Sequence, residues 1–317
     1  MTEIIRIKCP ASAKNKQNRI DELFHEIDRW VSSEELTELV FLFGGRVDPS
    51  LPLNEKIQYL NNFANVWDYR NGKERWDVYD NSFAKTNENK IMPLIEKLGL
   101  RGITEPCEEP DYILPLGGAR LSNLYRCQYA AEIYAKYNKE NIKVVALSGK
   151  RVINPEVEGK SIEQYAPGAK TEFDAINKGL EQAFNLGEGN FEEDSYNNTN
   201  PNLCWAIRKY KDARKIYSIA AASPNPARRA NSMDTFEFFM KKFNINEGDK
   251  LLLVTSTIYV PFQYLKFMQL ALENNLYIDC VGVPDKKTDR QFSNTSNYLQ
   301  ETKAAINAIH TLAELYL

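Results

Sequence analysis

Small residues and cations follow one another at three points of the sequence where a predicted strand ends. Glycine lets a backbone approach a ligand closely, and a helix N-terminus offers N–H groups to an anion. Cations gathered at one edge of a mildly acidic protein therefore predict an anionic ligand that carries phosphate, pyrophosphate or carboxylate groups. The alternative is that these basic residues are simply solvated. The segments are Leu116-Gly117-Gly118-Ala119-Arg120, Leu147-Ser148-Gly149-Lys150-Arg151 and Ser223-Pro224-Asn225-Pro226-Ala227-Arg228-Arg229.

The hydroxyl groups of Ser223 and, after a fourth predicted strand, of Thr255 and Ser256 could add hydrogen-bond donors to the ligand. Paired arginines are well suited to clamp a phosphate. Together with the glycines they define a predicted binding set. The residues predicted to bind the ligand or a cofactor are Gly117, Gly118, Arg120, Ser148, Gly149, Lys150, Ser223, Asn225, Arg228, Arg229, Thr255 and Ser256.

Glu172 is the candidate general base, or the partner of a ribose hydroxyl. A carboxylate suits the role because the chain has so few histidines. The other interpretation is that Glu172 only stabilises the N-terminus of a helix capped by Thr171, where acidic residues are favoured by the helix dipole.

Arg126 and Tyr259 complete the predicted catalytic set. Arg126 lies three residues after Asn123, so both share one helix face that could lie under the ligand loop; alternatively, Arg126 is a surface residue paired with an acid. Tyr259 lies where a proton-transfer group would be useful, or it packs beside Pro261 at the start of a helix.

The composition excludes several kinds of chemistry. The 317 residues include only two histidines, His25 and His310, which exclude multi-histidine zinc or iron centres, and no metal site is predicted. A net charge of -3 argues against a nucleic-acid partner. Neither a G-x-G-x-x-G fingerprint after the first predicted strand nor a P-loop is present, which disfavours classical NAD binding and P-loop NTPase chemistry.

The same sequence predicts a cytoplasmic protein. The five cysteines form no C-x-x-C pair and fit free thiols in a reducing compartment. No apolar segment of the kind found in a signal peptide follows the N-terminal charges, and no run of 18 apolar residues predicts a membrane span. No membrane partner is therefore expected, and the oligomeric state is left open.

Residues 1–105 are predicted to form a helical N-terminal subdomain. Ile20, Leu23, Phe24, Ile27 and Trp30 form one apolar stripe of a helix. Further helices are predicted over 34–43, 53–69 and 87–98.

Residues 106–317 are predicted to form a three-layer α/β/α Rossmann-like domain with a parallel sheet of about five strands. Continuous apolar runs are typical of strands buried on both faces, and their alternation with helices predicts a parallel sheet covered on both sides. Two long insertions, 152–170 and 185–212, are expected to cover the site. The predicted strands are Tyr112–Leu116, Lys143–Leu147, Ile216–Ala221, Leu251–Thr255 and Tyr277–Val283.

Short motifs between residues 111 and 284 resemble a known family. Arg126, Ala130, Ile133 and Tyr134 match an R-x-x-x-A-x-x-[LI]-Y helix, and it follows a strand that ends in a Gly pair. Further pieces follow in order: a strand ending in Ser-Gly, an acidic helix start, an S-x-N segment and a strand ending in Thr-Ser. This arrangement resembles the YdcF/SanA-like family of Rossmann-like proteins. The helical N-terminal third is not covered by the resemblance.

The resemblance implies a nucleotide-like or phosphorylated ligand, but the chain departs from the family pattern. Tyr259 and Phe262 stand where the family usually has a histidine and an arginine. The family asparagine of the third-strand segment falls on Arg229 or on Asn231. The departures put the roles of those family residues in doubt.

Together these observations predict a cytoplasmic enzyme that hydrolyses, or transfers a group of, a phosphorylated or nucleotide-type small molecule at the carboxyl ends of the parallel strands. The alternative is a non-catalytic ligand-binding or regulatory protein. Its ligand could be nucleotide-like or S-adenosylmethionine, and no cofactor is singled out by the residues.

Overall fold

The computed structural model describes residues 4–8, 15–137, 141–187, 189–193, 199–288 and 294–317. The chain divides into two compact units. The first comprises Met1–Glu105, Thr257–Asp285 and Asp289–Leu317, and the second comprises Pro106–Ser256 and Lys286–Thr288. This division differs from the predicted 1–105 and 106–317, because the C-terminal helices belong with the N-terminal ones.

Helices dominate the first unit. The predicted apolar stripe of the first helix is buried, from Ile20 to Trp30, and the Trp30 indole donates a 3.0 Å hydrogen bond to the carbonyl of Leu98. Asn15 and Ser33 cap the first two helices through their side chains. The five N-terminal helices are α1 (Lys16–Val31), α2 (Glu34–Leu42), α3 (Leu53–Phe63), α4 (Ser82–Thr86) and α5 (Glu88–Ile95).

An aromatic cluster fills the space between these helices. The Trp67 ring is fully buried and meets Phe43 and Phe63 edge-on, with ring centroids 5.7 Å and 5.6 Å apart. Such edge-to-face contacts are favourable for aromatic pairs. Tyr69 is also buried, whereas Tyr79 is mostly exposed. Core packing therefore accounts for Trp67 and Tyr69, and for Phe63 through its contact with Trp67.

The C-terminal part of the chain adds two helices and a strand to the first unit. The Gln300 side-chain oxygen accepts hydrogen bonds from the backbone N–H groups of Tyr69 and Arg70, at 2.8 Å and 3.0 Å. These bonds tie the last helix to the aromatic segment, which explains why the C-terminal residues group with the N-terminal helices. The elements are α10 (Val260–Glu273), β7 (Tyr277–Val283) and α11 (Thr295–Tyr316).

The second unit is built on a sheet whose strands run in the order β3-β4-β5-β2-β1-β6. The pairings of β5 with β2, β2 with β1 and β1 with β6 are parallel, and the hairpin β3-β4 adds antiparallel strands beside β5. The strands are β1 (Tyr112–Pro115), β2 (Lys143–Gly149), β3 (Gly189–Glu193), β4 (Ala206–Tyr210), β5 (Lys215–Ala221) and β6 (Lys250–Ser256).

Helices cover both faces of this sheet. Successive residues of a strand point to opposite faces, and Ser218 and Tyr217 in β5 meet different helices. Ser218 donates a hydrogen bond to Asn177 in α8. On the other face, the Tyr217 ring contacts the ring of Phe243 in α9, with ring centroids 5.1 Å apart. The helices of the second unit are α6 (Ser122–Tyr137), α7 (Lys160–Glu163), α8 (Glu172–Phe184) and α9 (Ser232–Phe243).

The predicted α/β class is confirmed, but seven strands lie within the described residues where about five were expected. The two additional strands form the β3-β4 hairpin in the insertion 185–212, part of which lies outside the described residues. The insertion 152–170 contains a π-helical turn at Pro155–Gly159 followed by α7. Among the described helices, none is long and apolar enough to cross a membrane.

Gly179 permits the close contact between α6 and α8. A Cβ at this position would lie 2.8 Å from the carbonyl oxygen of Asn123 and 3.4 Å from the Cys127 sulfur. We expect Gly179→Ala to lower the free energy of unfolding by about 1–3 kcal/mol, although alanine favours helices, because backbone atoms must move apart. Urea unfolding measures the change.

The control is Gly187→Ala, since a Cβ at Gly187 would meet no atom within 4 Å. Equal stability of Gly179→Ala and the wild type would contradict the importance of this contact.

Candidate functional site

The order of the parallel strands locates the candidate site. The chain passes from β1 to β2 and β5 on one side, then returns to place β6 on the other side of β1. Ligands of open α/β sheets bind at the carboxyl ends of the strands, where the order reverses. In the second unit this point lies between the end of β1, at Leu116–Gly118, and the end of β6, at Ser256.

Arg126 connects the two strand ends from below. Its guanidinium donates hydrogen bonds to the carbonyl oxygens of Leu116 and Gly117, at 2.8 Å and 2.6 Å, and to the Ser256 hydroxyl oxygen at 3.1 Å. The side chain is only 3% exposed. Arg126 therefore lies under the glycine turn, as predicted, but its charge is buried. Its guanidinium has access to the surface by way of its hydrogen bond to the Ser256 hydroxyl.

Hydrogen bonds within the protein hold the glycine turn, Gly117-Gly118. Asn123 is fully buried, accepts a hydrogen bond from the Gly118 N–H at 2.9 Å and donates one to the Gly118 carbonyl at 2.8 Å. The Gly117 N–H donates to the carbonyl of Leu147 at 2.7 Å. These two N–H groups are thus engaged, so the glycines serve close approach and do not form the expected cradle of N–H groups for an anion.

Glu172 lies beside this turn, on the β2 side. The helix α8 begins at Glu172 after the Thr171 cap, and the Glu172 N–H donates to the carbonyl of Arg151 at 2.9 Å. One carboxylate oxygen accepts a 3.0 Å hydrogen bond from Arg151 Nε, and the other, Oε1, lies against Gly117, so that a side chain there would collide with it. Glu172 therefore presents one oxygen next to the turn.

Arg151 joins Glu172 to a second carboxylate, Glu158. The Arg151 guanidinium donates to both oxygens of Glu158, at 2.6 Å and 2.9 Å. Glu158 is fully buried and also accepts hydrogen bonds from the backbone N–H groups of Asn154, at 2.9 Å, and Arg120, at 3.2 Å. All of these donors satisfy a carboxylate that would be costly to bury alone.

The charges of this group of residues are fixed by their contacts. Burial alone would raise the pKa of Glu158, but hydrogen bonds from Arg151 and the backbone hold it below its usual value. Burial would lower the pKa of Arg151, but Glu158 and Glu172 raise it above its usual value. Burial raises the pKa of the Cys127 thiol, despite the neighbouring Arg126, so Cys127 is a core thiol.

Most of the predicted hydroxyl and amide donors serve local structure. Ser148 donates to the carbonyl of Ile219 at 3.0 Å, and Thr255 is fully buried, so neither side chain faces the crevice. Ser223 accepts from the N–H of Asn225 at 3.2 Å, and Asn225 accepts from that of Ala227 at 2.9 Å. These bonds shape the turn after β5.

Some of the predicted cationic residues form contacts within the protein, and others lie at its surface. Arg228 forms an ion pair with Asp234 in the first turn of α9, and does not stand ready as a phosphate clamp. Arg120 has a positive φ of 56°, and its carbonyl accepts a 3.0 Å hydrogen bond from the Tyr165 hydroxyl. Lys150 is half-buried and Arg229 is exposed.

The predicted residues do not all lie in one unit. Gly117, Arg126, Glu172 and Ser256 belong to the second unit, and Gly149 ends β2 with no atom closer than 4.0 Å to the position of its missing Cβ. Tyr259 belongs to the first unit, immediately before α10. The site described here therefore does not include Tyr259.

Two residues of the site were missed by the sequence reasoning. Arg151 ends the cationic segment after β2 but is absent from the predicted binding set, although its position next to Lys150 is a usable signal. Glu158 lies inside the charged insertion 152–170, and nothing in its spacing distinguishes it from Glu156 or Glu163. Among the described residues, no three His, Cys, Asp or Glu side chains are grouped to hold a metal ion.

Comparisons with known proteins identify similar chains. A family model described as the Rv3785 N-terminal domain matches residues 14–99. The uncharacterized protein Rv3785 of Mycobacterium tuberculosis and the uncharacterized protein Mb3814 of Mycobacterium bovis are each 26% identical over 338 aligned residues, which cover 96% of this chain and 94% of theirs. No solved structure matches.

These comparisons overturn the resemblance to the YdcF/SanA-like family. The matching family model lies in the helical N-terminal part, and the relatives are Rv3785 proteins that align along nearly the whole chain. The Gly-Gly, Ser-Gly and Thr-Ser pairs on which the resemblance depended stand at the carboxyl ends of β1, β2 and β6. Glycine at such an end lets a backbone approach a ligand or a neighbouring element closely, which is a property of the fold rather than of one family, so these pairs indicated the fold correctly and the family wrongly.

The position of the Glu172 carboxylate requires a residue without a side chain at Gly117. We expect Gly117→Ala to displace the Glu172 carboxylate from Arg151 and to lower the free energy of unfolding by about 1 kcal/mol, because the new Cβ also meets the Cβ of Ser148 at 3.1 Å. A crystal structure of the variant and urea unfolding check both parts.

Gly149→Ala is the matched control at the neighbouring strand end, and we expect no displacement there. A Glu172 side chain that stays in place in Gly117→Ala would show that the close contact is not a constraint.

The ion pair between Asp234 and Arg228 makes a contribution to the free energy of unfolding that depends on pH. Burial would raise the pKa of Asp234, but hydrogen bonds from Arg228 and the Asn231 N–H hold it below its usual value. A carboxylate whose pKa is lowered by folding stabilises the protein fully above its unfolded pKa of about 3.9, and this stabilisation is lost as the pH falls through the lower, folded value.

We therefore expect Asp234→Asn to cost about 1 kcal/mol of unfolding free energy at pH 7, as for other disrupted helix caps. The difference from the wild type should shrink as the pH falls below about 4. Urea unfolding at several pH values measures it, with Glu237→Gln on the exposed face of α9 as the control. A difference that is constant with pH would exclude a role for the Asp234 charge.

Proposed function

We propose that the second unit binds a phosphorylated or nucleotide-type small molecule at the carboxyl ends of β1, β2 and β6, and acts on it in the cytoplasm by hydrolysis or group transfer. The observation that carries this proposal is the position of Glu172. Its Oε1 lies next to Gly117, which follows the end of β1, at the edge where the strand order reverses.

A carboxylate in this position suits a ribose. In dinucleotide-binding α/β sheets, an acidic residue beyond the glycine turn accepts hydrogen bonds from ribose hydroxyls. Glu172 comes later along the chain than such residues usually do, because the insertion 152–170 precedes it. Arg151 holds its second oxygen at 3.0 Å, which leaves Oε1 on the side of the turn.

The opposite side of the turn suits an anionic group. The charge of Arg126 lies directly beneath Gly117, and Ser256 receives a hydrogen bond from Arg126 while its own O–H can donate to a ligand. Ser256 as a residue is half-buried, so part of it is open to a ligand. A ligand with hydroxyls at one end and a phosphate at the other would span the turn from Glu172 to Ser256.

Where the reacting bond, rather than the ribose, lies on its side of the turn, Glu172 would be the group that moves a proton during turnover. In hydrolysis it would accept a proton from the attacking water as the new bond to oxygen forms. The leaving group would depart with the electron pair of the broken bond and take a proton from solvent. Group transfer differs only in that a ligand or acceptor hydroxyl replaces the water.

A non-catalytic binding protein is the second candidate, and particular contacts favour it. Arg151 and Arg228 are neutralised by carboxylates of their own chain, and Gly117 and Gly118 use their N–H groups internally. A ligand with a ribose but no phosphate, such as S-adenosylmethionine, places less demand on anion binding. Recovery of a bound ligand without chemical change would support this candidate.

We expect a ribonucleotide to raise the melting temperature of the wild type, and we expect Glu172→Gln to weaken its binding by about 10- to 100-fold. The reason is that a hydrogen bond to a charged acceptor is worth about 1.5–3 kcal/mol. The measurement is a thermal-shift screen of ribonucleoside phosphates, nucleotide sugars and S-adenosylmethionine, followed by calorimetric titration and by product analysis.

Two comparisons make the test specific. The 2′-deoxy analogue should bind the wild type more weakly than the ribonucleotide, and this preference should disappear in Glu172→Gln. Glu156→Gln, an exposed carboxylate in the insertion, should bind as the wild type does. A wild type that is stabilised by none of these compounds would refute the proposal.

A further inference from the structure

Glu158 contacts three separate parts of the candidate site. Its carboxylate binds Arg151, at the end of β2, and the N–H of Arg120, in the turn after β1. It also binds the N–H of Asn154, in its own insertion. The side chain is fully buried, so it is not placed to touch a ligand.

The glycine turn needs such support. Arg120 adopts a positive φ of 56°, a conformation that is unfavourable for residues other than glycine and persists where neighbouring contacts enforce it. Those contacts come from the insertion: Glu158 accepts from the Arg120 N–H, the Tyr165 hydroxyl donates to its carbonyl, and Ser161 accepts from its Nε at 3.4 Å.

Glu172 needs the same support through Arg151. Two of the donor atoms of Arg151 are held by Glu158, which fixes the plane of the guanidinium, and Nε then meets Glu172. Because the guanidinium is planar, two hydrogen bonds from its terminal nitrogens also fix the direction in which its Nε–H points. The orientation of Glu172 therefore depends on Glu158, which lies 14 residues earlier in the chain.

We propose that Glu158 is the positioning residue of this site: through Arg151 and the Arg120 N–H it holds Glu172 and the glycine turn in the geometry that binds the ribose end of the ligand. The ligand part of this inference depends on the proposed function, whereas the positioning part does not. The insertion 152–170 is then a built component of the site, rather than only a cover over it.

The first experiment needs no ligand. Hydrogen–deuterium exchange compares Glu158→Gln with the wild type, and we expect faster exchange at the amides of Arg120 and Asn154, with no change in α9. Glu156→Gln is the control and should match the wild type throughout. Unchanged exchange at both amides would overturn the proposal, whether or not a nucleotide binds.

The second experiment uses adenosine, guanosine, cytidine and uridine 5′-monophosphates as probes in calorimetric titrations. We expect Glu158→Gln to weaken the probe that binds the wild type best by about 10- to 100-fold, the range known for outer partners that orient metal-ligating side chains. Arg151→Lys keeps the charge but loses the fork, and should weaken binding similarly. It also serves as a second variant if Glu158→Gln does not fold.

A double-mutant cycle separates positioning from general damage. If Glu158 acts through Glu172, adding Glu158→Gln to Glu172→Gln should weaken the probe by no more than about twofold beyond Glu172→Gln alone. Full additivity of the two losses would overturn the proposal. A wild type that binds neither these probes nor any other compound of the thermal-shift screen would refute the proposed function instead, and the exchange experiment would still decide whether Glu158 holds the turn.

Discussion

The hydrogen bonds from Arg126 to the two carbonyls that directly follow β1 are the constraint on which the candidate site depends. A parallel strand that ends inside a protein leaves carbonyl groups that neighbouring strands cannot satisfy, and burying them without donors is costly. Arg126 supplies donors to Leu116 and Gly117 and reaches Ser256 on β6. The buried Arg126 guanidinium therefore satisfies the carbonyl groups at the end of β1 and holds the glycine turn. It also brings a positive charge to the point where the strand order reverses.

The charges around this point are paired in a definite way. Arg151 faces Glu158 and Glu172, and Arg228 faces Asp234, so these cations are balanced by carboxylates of the same unit. The edge of the sheet thus differs from the strongly cationic surface that the sequence suggested. In the proposed function, recognition depends less on the total charge of this edge than on the direction of its polar groups, with an acceptor oxygen on the β2 side of the turn and a hydroxyl on the β6 side.

The fold was largely predictable, because apolar runs and helix caps are local signals. The strands β1, β2, β5, β6 and β7 were predicted within a few residues. The hairpin β3-β4 was missed because its segment is Asn-rich and acidic and its strands have no continuous apolar run. The site was predicted in part: Arg126 and Glu172 lie near the turn, but Glu158 acts through contacts with Arg120 and Arg151 that its spacing does not reveal. Tyr259 could not be assigned, because the sequence does not tell which unit the chain enters after β6.

The β3-β4 hairpin changes what the parallel strands expose. Without it, β5 would end the sheet of the second unit with an unpaired row of N–H and C=O groups, next to apolar residues such as Ile219 that are fully buried. Exposed edges of this kind pair readily with other chains and promote aggregation. The hairpin therefore moves the free edge of the sheet from the apolar strand β5 to β3. Shortened versions of this protein designed for crystallisation or for display should keep residues 189–210, however irregular that part of the sequence looks.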